Sequence, residues 1–422
     1  MNQTFHKVSR SFKQLLKNKN DDVSTANRKK LENNSNQSPS GNGEVDVIHE
    51  NIAKKIISRG PAWAIWRISH KFRHSDYKTI KWMREIYFNL FTGSQGYESL
   101  HNDLLVGMFD IEIESISFNF VEFLIGLELR SKQLNLNGFI INIVPRREGS
   151  SRFEYGYDSI IDNSKKEWRI ENLIIPLARL HPCCKGIQIL PNRESASIYI
   201  NCKHIFPRGY SLANPVEMNR ADFYKEANNP KKITGLRATK ASREYIDKYI
   251  SEKNIRKKIV TITLRLYEYD KIRNSNLLEW KKFINYLKER DFHPIVIPDT
   301  EKAWGKEFEE FKEYLFTDIC WNMQLRLALS EAAYMNLGVQ NGPLTMMFFA
   351  PNCNVLQMNS PCDSKELVKK AKNYEKVHHC KEGVQFGYLH KHQRMSFKPD
   401  SCEIIKAEFE AHEKRIATKT PI

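Results

Sequence analysis

Two arginines, Arg265 and Arg273, stand in one polar loop that follows the apolar run 259–264. Arginine keeps its charge and can bind two phosphate oxygens at once, so a strand leading into such a loop and then a helix makes a phosphate site. A second feature, Asn341-Gly342-Pro343, comes where a short apolar run meets the mouth of another helix. Glycine lets the backbone come close to a ligand, and a helix opening there offers free amides and its positive dipole end. The plainer reading of that turn is a proline at the first helical position. Asp299 closes the apolar run 294–298; it suits a ribose hydroxyl, and equally a helix cap. Arg326 falls within a helical pattern and reads as a surface or packing arginine.

Strands alternating with helices must position these loops. In the first half, 104–109 reads as a strand and 110–117 as its polar exit, with Phe118, Val121, Leu124, Ile125 and Leu129 at helical spacing. Asn137-Gly138 stops that helix, and 139–144 is the next strand, ended by Pro145. Weaker strands fall at 187–190 and 197–200, with a helical pattern at 170–180. Residues 214–235 hold Pro215, Pro230 and Gly235 and read as the connection, followed by a charged helix at 240–250. In the second half Asn276 caps a helix with Glu279 reaching back, and Leu277, Trp280, Ile284 and Leu287 form its apolar stripe. Leu325, Ala328, Leu329, Ala332 and Ala333 make another, and a charged helix at 403–415 closes the chain. This alternation predicts an α/β fold of two Rossmann-like, doubly wound domains, at 101–228 and 229–400, with a C-terminal helix in 401–422. Ligands of such sheets sit at the carboxyl ends of the strands, where the basic and glycine-bearing loops fall.

The totals agree. A chain of 422 residues exceeds one average core, and 41% hydrophobic with 11% aromatic content suffices for packed domains. Residues 1–45 are rich in Asn, Ser, Lys and Gln and predict a disordered tail. Residues 46–100 interleave Trp63, Trp66, Trp82, Phe72, Tyr87, Phe88 and Phe91 with lysines and arginines, a basic aromatic helical segment. Packing on the first domain is its first reading; lying on an anionic membrane surface is the second. The net charge of +16 attracts polyanions without choosing among nucleotide diphosphates, lipid headgroups and nucleic acid. Eight cysteines without CxxC spacing, and no recognisable signal peptide, predict reduced thiols in a cytoplasmic protein. No apolar run is long enough to span a bilayer. His378, His379, Cys380, His390 and His392 match no standard zinc spacing. No GxxxxGK[ST] loop and no Gly-rich dinucleotide fingerprint occurs, against a nucleoside triphosphatase or a dehydrogenase.

Residues 259–359 resemble the GT-B glycosyltransferases, in particular their heptosyltransferase-like and fucosyltransferase-like branches. The likeness is carried by 261–265, Arg273 to Ser275, Pro298-Asp299, the helical run 324–329 and the run 338–343. Over 103–200 only the βαβ pattern is shared. The late turn of the heptosyltransferase-like branch usually has an acidic residue and a serine before Gly-Pro and a histidine soon after. Here Gln340 and Asn341 precede it and Thr345 stands near the histidine's place. The resemblance implies transfer of a sugar from a nucleotide diphosphate sugar, a co-substrate, with no cofactor and no metal, to a glycan, lipid-linked or other acceptor across an interdomain cleft. Arg265, Arg273, Asn274, Asp299, Asn341, Gly342, Pro343 and Thr345 would hold the donor. Charge develops on the departing diphosphate, and Arg265 is the catalytic candidate for stabilising it. An inverting reaction also needs a general base, which Asp110, Glu112 or Glu114 at the exit of the first strand could supply. A sugar-nucleotide epimerase of the same fold and a basic nucleic-acid-binding protein are the alternatives; no RNP-like or helix-turn-helix signature supports the latter, and nucleic acid is not an expected partner.

Overall fold

The computed structural model describes residues 79, 80, 82, 83, 102–147, 161–200, 202–213, 215–268, 271–358 and 383–417. The tail at 1–45, nearly all of the basic aromatic segment at 46–100, and His378, His379 and Cys380 lie outside the described residues. Contacts part the chain into residues 1–73 and a compact unit over 74–422, which holds every element named below.

That unit contains two parallel sheets with helices between the strands, the α/β architecture expected. The first runs β3-β2-β1-β4, from β1 (Leu105–Asp110), β2 (Phe139–Val144), β3 (Cys184–Ile189) and β4 (Ile205–Phe206). β1 is buried along its whole length, which is why it reads as an unbroken apolar run rather than an alternating one. Helix α1 (Phe120–Gln133) crosses from β1 to β2. Its exit is fixed by Gly138 at φ 144°, where a side chain would stand 2.4 Å from the Cys183 carbonyl oxygen.

Two expectations change here. The helical pattern at 170–180 belongs to a longer helical segment that begins with α2 (Asn163–Arg169), capped by Asp162, and passes through a π turn (Ile170–Ile174) into α3 (Ile175–Arg179). Pro176 has no N–H to continue the ladder, and the turn before it widens so that Ile175 N bonds Ile170 O. The expected strand at 197–200 is instead part of a 3-10 turn (Glu194–Ile198), because Asn192 Oδ1 accepts from both the backbone N and the Oγ of Ser195 and starts a turn there. The two-residue β4 takes the edge beside β1.

Helices α4 (Arg220–Glu226) and α5 (Lys240–Glu252) lead into the second sheet, ordered β6-β5-β7-β8-β9. Its strands are β5 (Lys258–Thr263), β6 (Phe292–Ile297), β7 (Met335–Val339), β8 (Val355–Met358) and β9 (Gln393–Ser396). Helix α6 (Leu277–Glu289) joins β5 to β6, α7 (Met323–Ala332) precedes β7, α8 (Gly342–Phe348) follows it, and α9 (Cys402–Ala417) packs on α6. Asn276 caps α6 as expected, but Glu279 does not reach back: its Oε2 accepts from Cys402 N, while Asn276 N donates to Asp400. The capping carboxylate thus ties α6 to the start of α9.

One apolar cluster runs from Phe109 and Phe123 through Phe223, Leu236 and Ile246 to Met346, Met347 and Phe349. The two sheets therefore share a core. Glu128 on α1 adds a buried polar knot, contacting His181 Nε2 at 2.9 Å and accepting from Gly235 N at 3.1 Å, from Thr234 N and from Lys132.

Candidate functional site

The carboxyl edge of the second sheet begins where β5 ends, at Leu264 and Arg265. The loop from 265 to 275 folds back on itself. Arg265 N donates to Ser275 Oγ at 2.9 Å, and Ser275 N returns to Arg265 O at 2.9 Å. Asn274 staples the loop: its Oδ1 accepts from Tyr267 N at 3.0 Å and from Arg265 Nη1, and its Nδ2 donates to Tyr267 O at 3.2 Å. Expected as a donor contact, Asn274 instead has both ends of its amide holding the arginine loop. Arg265 is buried at 6% exposure, and Arg273, at the far end of the loop, is half-buried.

Asp299 lies where β6 leaves the same edge. It sits in the field of both Arg265 and Arg326. Burial raises its pKa and the two arginines pull it back.

Arg326 takes the second of the two readings its sequence offered, a packing arginine rather than a surface one. It is only 2% exposed, on the buried face of α7 with Met323, Leu327 and Ser330. Its Nη2 donates to Thr263 Oγ1, at 3.3 Å, at the last residue of β5, and its Nε has no acceptor among the described residues. Burial holds the guanidinium pKa below its ordinary value, with Cys320 and Asp299 acting in the opposite sense. The signal was present in the sequence: α7 is apolar on both flanks of Arg326, and a helix apolar all round is a buried one.

Asn341 comes next along the edge, after β7. Its Oδ1 accepts from Leu344 N at 3.0 Å and caps α8, while its Nδ2 is buried without an acceptor. β5 and β7 pair so that Thr263 lies opposite Gly338, and a side chain at Gly338 would stand 2.7 Å from Thr263 O and 3.2 Å from Asn341 Nδ2. Two buried donors with no acceptor, Arg326 Nε and Asn341 Nδ2, thus belong to residues that meet one strand pair. Buried N–H groups are nearly always satisfied, so both donors stand out.

The α8 turn offers less than its sequence implied. Pro343 has no N–H, Leu344 N is taken by the Asn341 cap, and Thr345 donates its hydroxyl to Asn341 O at 3.3 Å. At Gly342 an added Cβ would stand 2.1 Å from the ring of Phe118, which comes from the loop after β1. The first half therefore closes directly over this turn. Elsewhere along the junction Trp168 packs edge-on against Trp321 at 5.2 Å, and Arg169 Nη2 donates to Tyr267 Oη at 3.4 Å.

On the first sheet's edge, the expected bases Asp110 and Glu112 are held by other groups. Asp110 accepts four hydrogen bonds: from Arg193 Nη1 at 2.9 Å, Glu112 N at 3.0 Å, Arg193 Nη2 at 2.6 Å and Tyr210 Oη at 2.6 Å. That fills the acceptor positions of a carboxylate. Glu112 lies 3.1 Å from Arg147 Nε and 3.4 Å from Arg193 Nη1. These acids fasten the loop after β1 to residues 193 and 210–213, which Arg193 and Arg147 also grip through Leu212 O. Both carboxylates, expected as bases, are engaged in these contacts. Glu114 differs: burial first, and then the charge of Glu217, raise its carboxyl to about 8.

Among the described residues no cluster of three His, Cys, Asp or Glu side chains is arranged to hold a metal ion, and no helix is long and apolar enough to cross a membrane. Arg265, Arg326 and Asn341 are all buried residues that bring donors to this sheet.

No family model matches the chain, and no curated protein matches it. Solved structures do. A glycosyl transferase family 9 protein from Veillonella parvula is 7% identical, with 75% of this chain and 98% of that one covered at a TM-score of 0.43. The E. coli ADP-heptose LPS heptosyltransferase II is 9% identical over 75% of this chain and all (100%) of its own, also at 0.43. The E. coli heptosyltransferase WaaC, solved with ADP, is 9% identical over 75% and 100%, at 0.36.

Proposed function

We propose that this chain is a glycosyltransferase that takes a sugar from a nucleotide diphosphate sugar and passes it to a hydroxyl of a glycan or lipid-linked acceptor. The observation that carries the reading is the pair of buried donors without acceptors, Arg326 Nε and Asn341 Nδ2, on residues that meet the Thr263–Gly338 strand pair. A buried donor left without an acceptor costs about 1–3 kcal/mol, which an incoming phosphate oxygen would offset. Charge grows on the diphosphate as the glycosidic bond breaks, and fixed guanidinium groups at Arg326 and Arg265 stabilise it there without reorganising. On this reading they supply the positive charge that a metal supplies in other transferases. Asp299, held between the two arginines' fields, keeps them in place.

Titration calorimetry with uridine, guanosine, adenosine and cytidine diphosphates tests this. One diphosphate is expected to bind, and Arg326→Ala to weaken it at least roughly tenfold, the loss of one charge-assisted hydrogen bond. If none binds, or if the alanine variant binds as well as wild type while folded, the reading fails. Turnover of the matching nucleotide sugar with and without acceptors then separates transfer from epimerisation.

A further inference from the structure

We propose that α2 is an autoinhibitory latch on the carboxyl edge of the second sheet, and that its release about the π turn lets a nucleoside diphosphate reach Arg326 and Asn341. The choice of ligand rests on the glycosyl-transfer reading; the latch itself rests on the contacts of α2.

Arg326 is 2% exposed and Asn341 9%, so a diphosphate reaches the donors Arg326 Nε and Asn341 Nδ2 only if a neighbouring part moves. Phe118 and α2 both bring the first half onto loops of this edge. They are held with different firmness. The loop of Phe118 is fastened by the buried Asp110–Arg193 pair. α2 has no buried residue, whereas Ile170, Leu173, Ile174 and Leu177 just beyond it are all buried. The π turn (Ile170–Ile174) therefore stands where an exposed helix gives way to an anchored one. Such turns recur at functional sites, and a segment with few buried apolar contacts opens locally at low cost.

One face of α2 grips the second half. Lys165, Trp168 and Arg169 are spaced i, i+3 and i+4, so they lie side by side on the helix. Lys165 Nζ stands 3.8 Å from Glu301 Oε1, the Trp168 ring meets Trp321 edge-on at 5.2 Å, and Arg169 Nη2 donates to Tyr267 Oη at 3.4 Å. Each contact falls on a loop beside the candidate site. Tyr267 is stapled by Asn274 next to Arg265, and Glu301 closely follows Asp299. Trp321 follows Cys320, whose Sγ donates to Pro298 O at 3.2 Å, and precedes Asn322, whose carbonyl accepts from Arg326 N at 2.9 Å. An exposed ion pair, one ring contact and one long hydrogen bond make a weak hold, which suits a part that must let go. While α2 is docked the binding-competent fraction is small, and the apparent affinity is reduced by that fraction.

The test uses the full chain in two arms. In the first, association of fluorescently tagged uridine, guanosine, adenosine and cytidine diphosphates is followed by stopped flow. Trp168→Ala and Arg169→Ala should bind the matching diphosphate faster and more tightly than wild type, roughly two- to tenfold, because loosening the latch raises the competent fraction. Lys165→Glu should act in the same direction, and Lys165→Glu/Glu301→Lys should return the rate toward wild type. In the second arm, without nucleotide, brief trypsin treatment read by mass spectrometry should cut after Lys166 faster in Trp168→Ala than in wild type, and adding the diphosphate to wild type should speed the same cut. Slower or weaker binding by folded Trp168→Ala and Arg169→Ala would make these residues ligand contacts and overturn the latch. Cleavage after Lys166 indifferent to both substitution and nucleotide overturns it equally. If no diphosphate binds any variant, the transferase reading and the nucleotide's part in the proposal fall together, while cleavage in Trp168→Ala still decides whether α2 is held by this face.

Discussion

The ring of Phe118 lies so close to Gly342 that a single methyl group at 342 would meet its Cδ2 at 2.1 Å. A loop of the first sheet is thereby seated on the turn that ends β7, and the joint depends on the absence of a side chain. Gly342→Ala should destabilise the protein by about 1–3 kcal/mol through overpacking. Removing the ring should relieve it. In urea denaturation the double variant Phe118→Ala/Gly342→Ala is expected to cost less than the sum of the two single changes; additive costs would mean the contact is not made.

Asp110 and Arg193 form a buried, two-pronged ion pair completed by Tyr210. Asp110→Asn leaves the guanidinium without its counter-charge, and about 3–5 kcal/mol of stability should be lost. The deficit should appear in the denaturation midpoint. Where the variant remains folded, its nucleotide affinity should stay close to wild type, because the pair anchors a loop and does not touch the donor-rich edge.

Acid should unfold this chain in two windows. His412 is buried and its pKa is lowered to about 4, so between its ordinary value of 6.5 and about 4 the unfolded state binds the extra proton and stability falls as pH falls. Glu128 is lowered to about 2; burial alone would raise it, but the hydrogen bond and charge of His181, with Lys132 and Thr234 N, outweigh that. Its contribution is complete above the ordinary value of 4.5 and is lost as pH drops from there toward about 2, on the order of 3 kcal/mol in all. Glu128→Gln should flatten the lower window and leave the upper one, as read by thermal melting across pH.

If Arg265 and Arg326 supply the positive charge, transfer should persist in EDTA at the wild-type rate. Arg326→Lys should recover only part of what alanine loses, because lysine brings a point charge without a planar fork. Loss of turnover on chelation, restored by magnesium or manganese, would assign that charge to a metal.

Much of this architecture could be read from the chain because parallel strands buried on both faces are rich in apolar and β-branched residues, as β1, β2 and β5 are. β4 could not: two residues that pair only with β1 leave no periodicity. The strand expected at 197–200 was lost to a local turn, since side-chain-to-backbone bonds at Asn192 compete with extended structure. At the site, the loop with Arg265 was legible from type and position. What Asp110, Glu112 and Asn274 do was not, because each is settled by a partner that spacing does not reveal: Arg193 lies far along the chain from Asp110, and Asn274 bonds the backbone of its own loop. Arg326 was hidden by its charge, which argues for a surface that the apolar residues around it contradict.

The most direct measurement is a crystal structure of the full chain with the nucleoside diphosphate that binds. The account requires phosphate oxygens at hydrogen-bond distance, about 3 Å, from both Arg326 Nε and Asn341 Nδ2. Phosphates bound elsewhere, with those two donors still buried and unpaired, would contradict it.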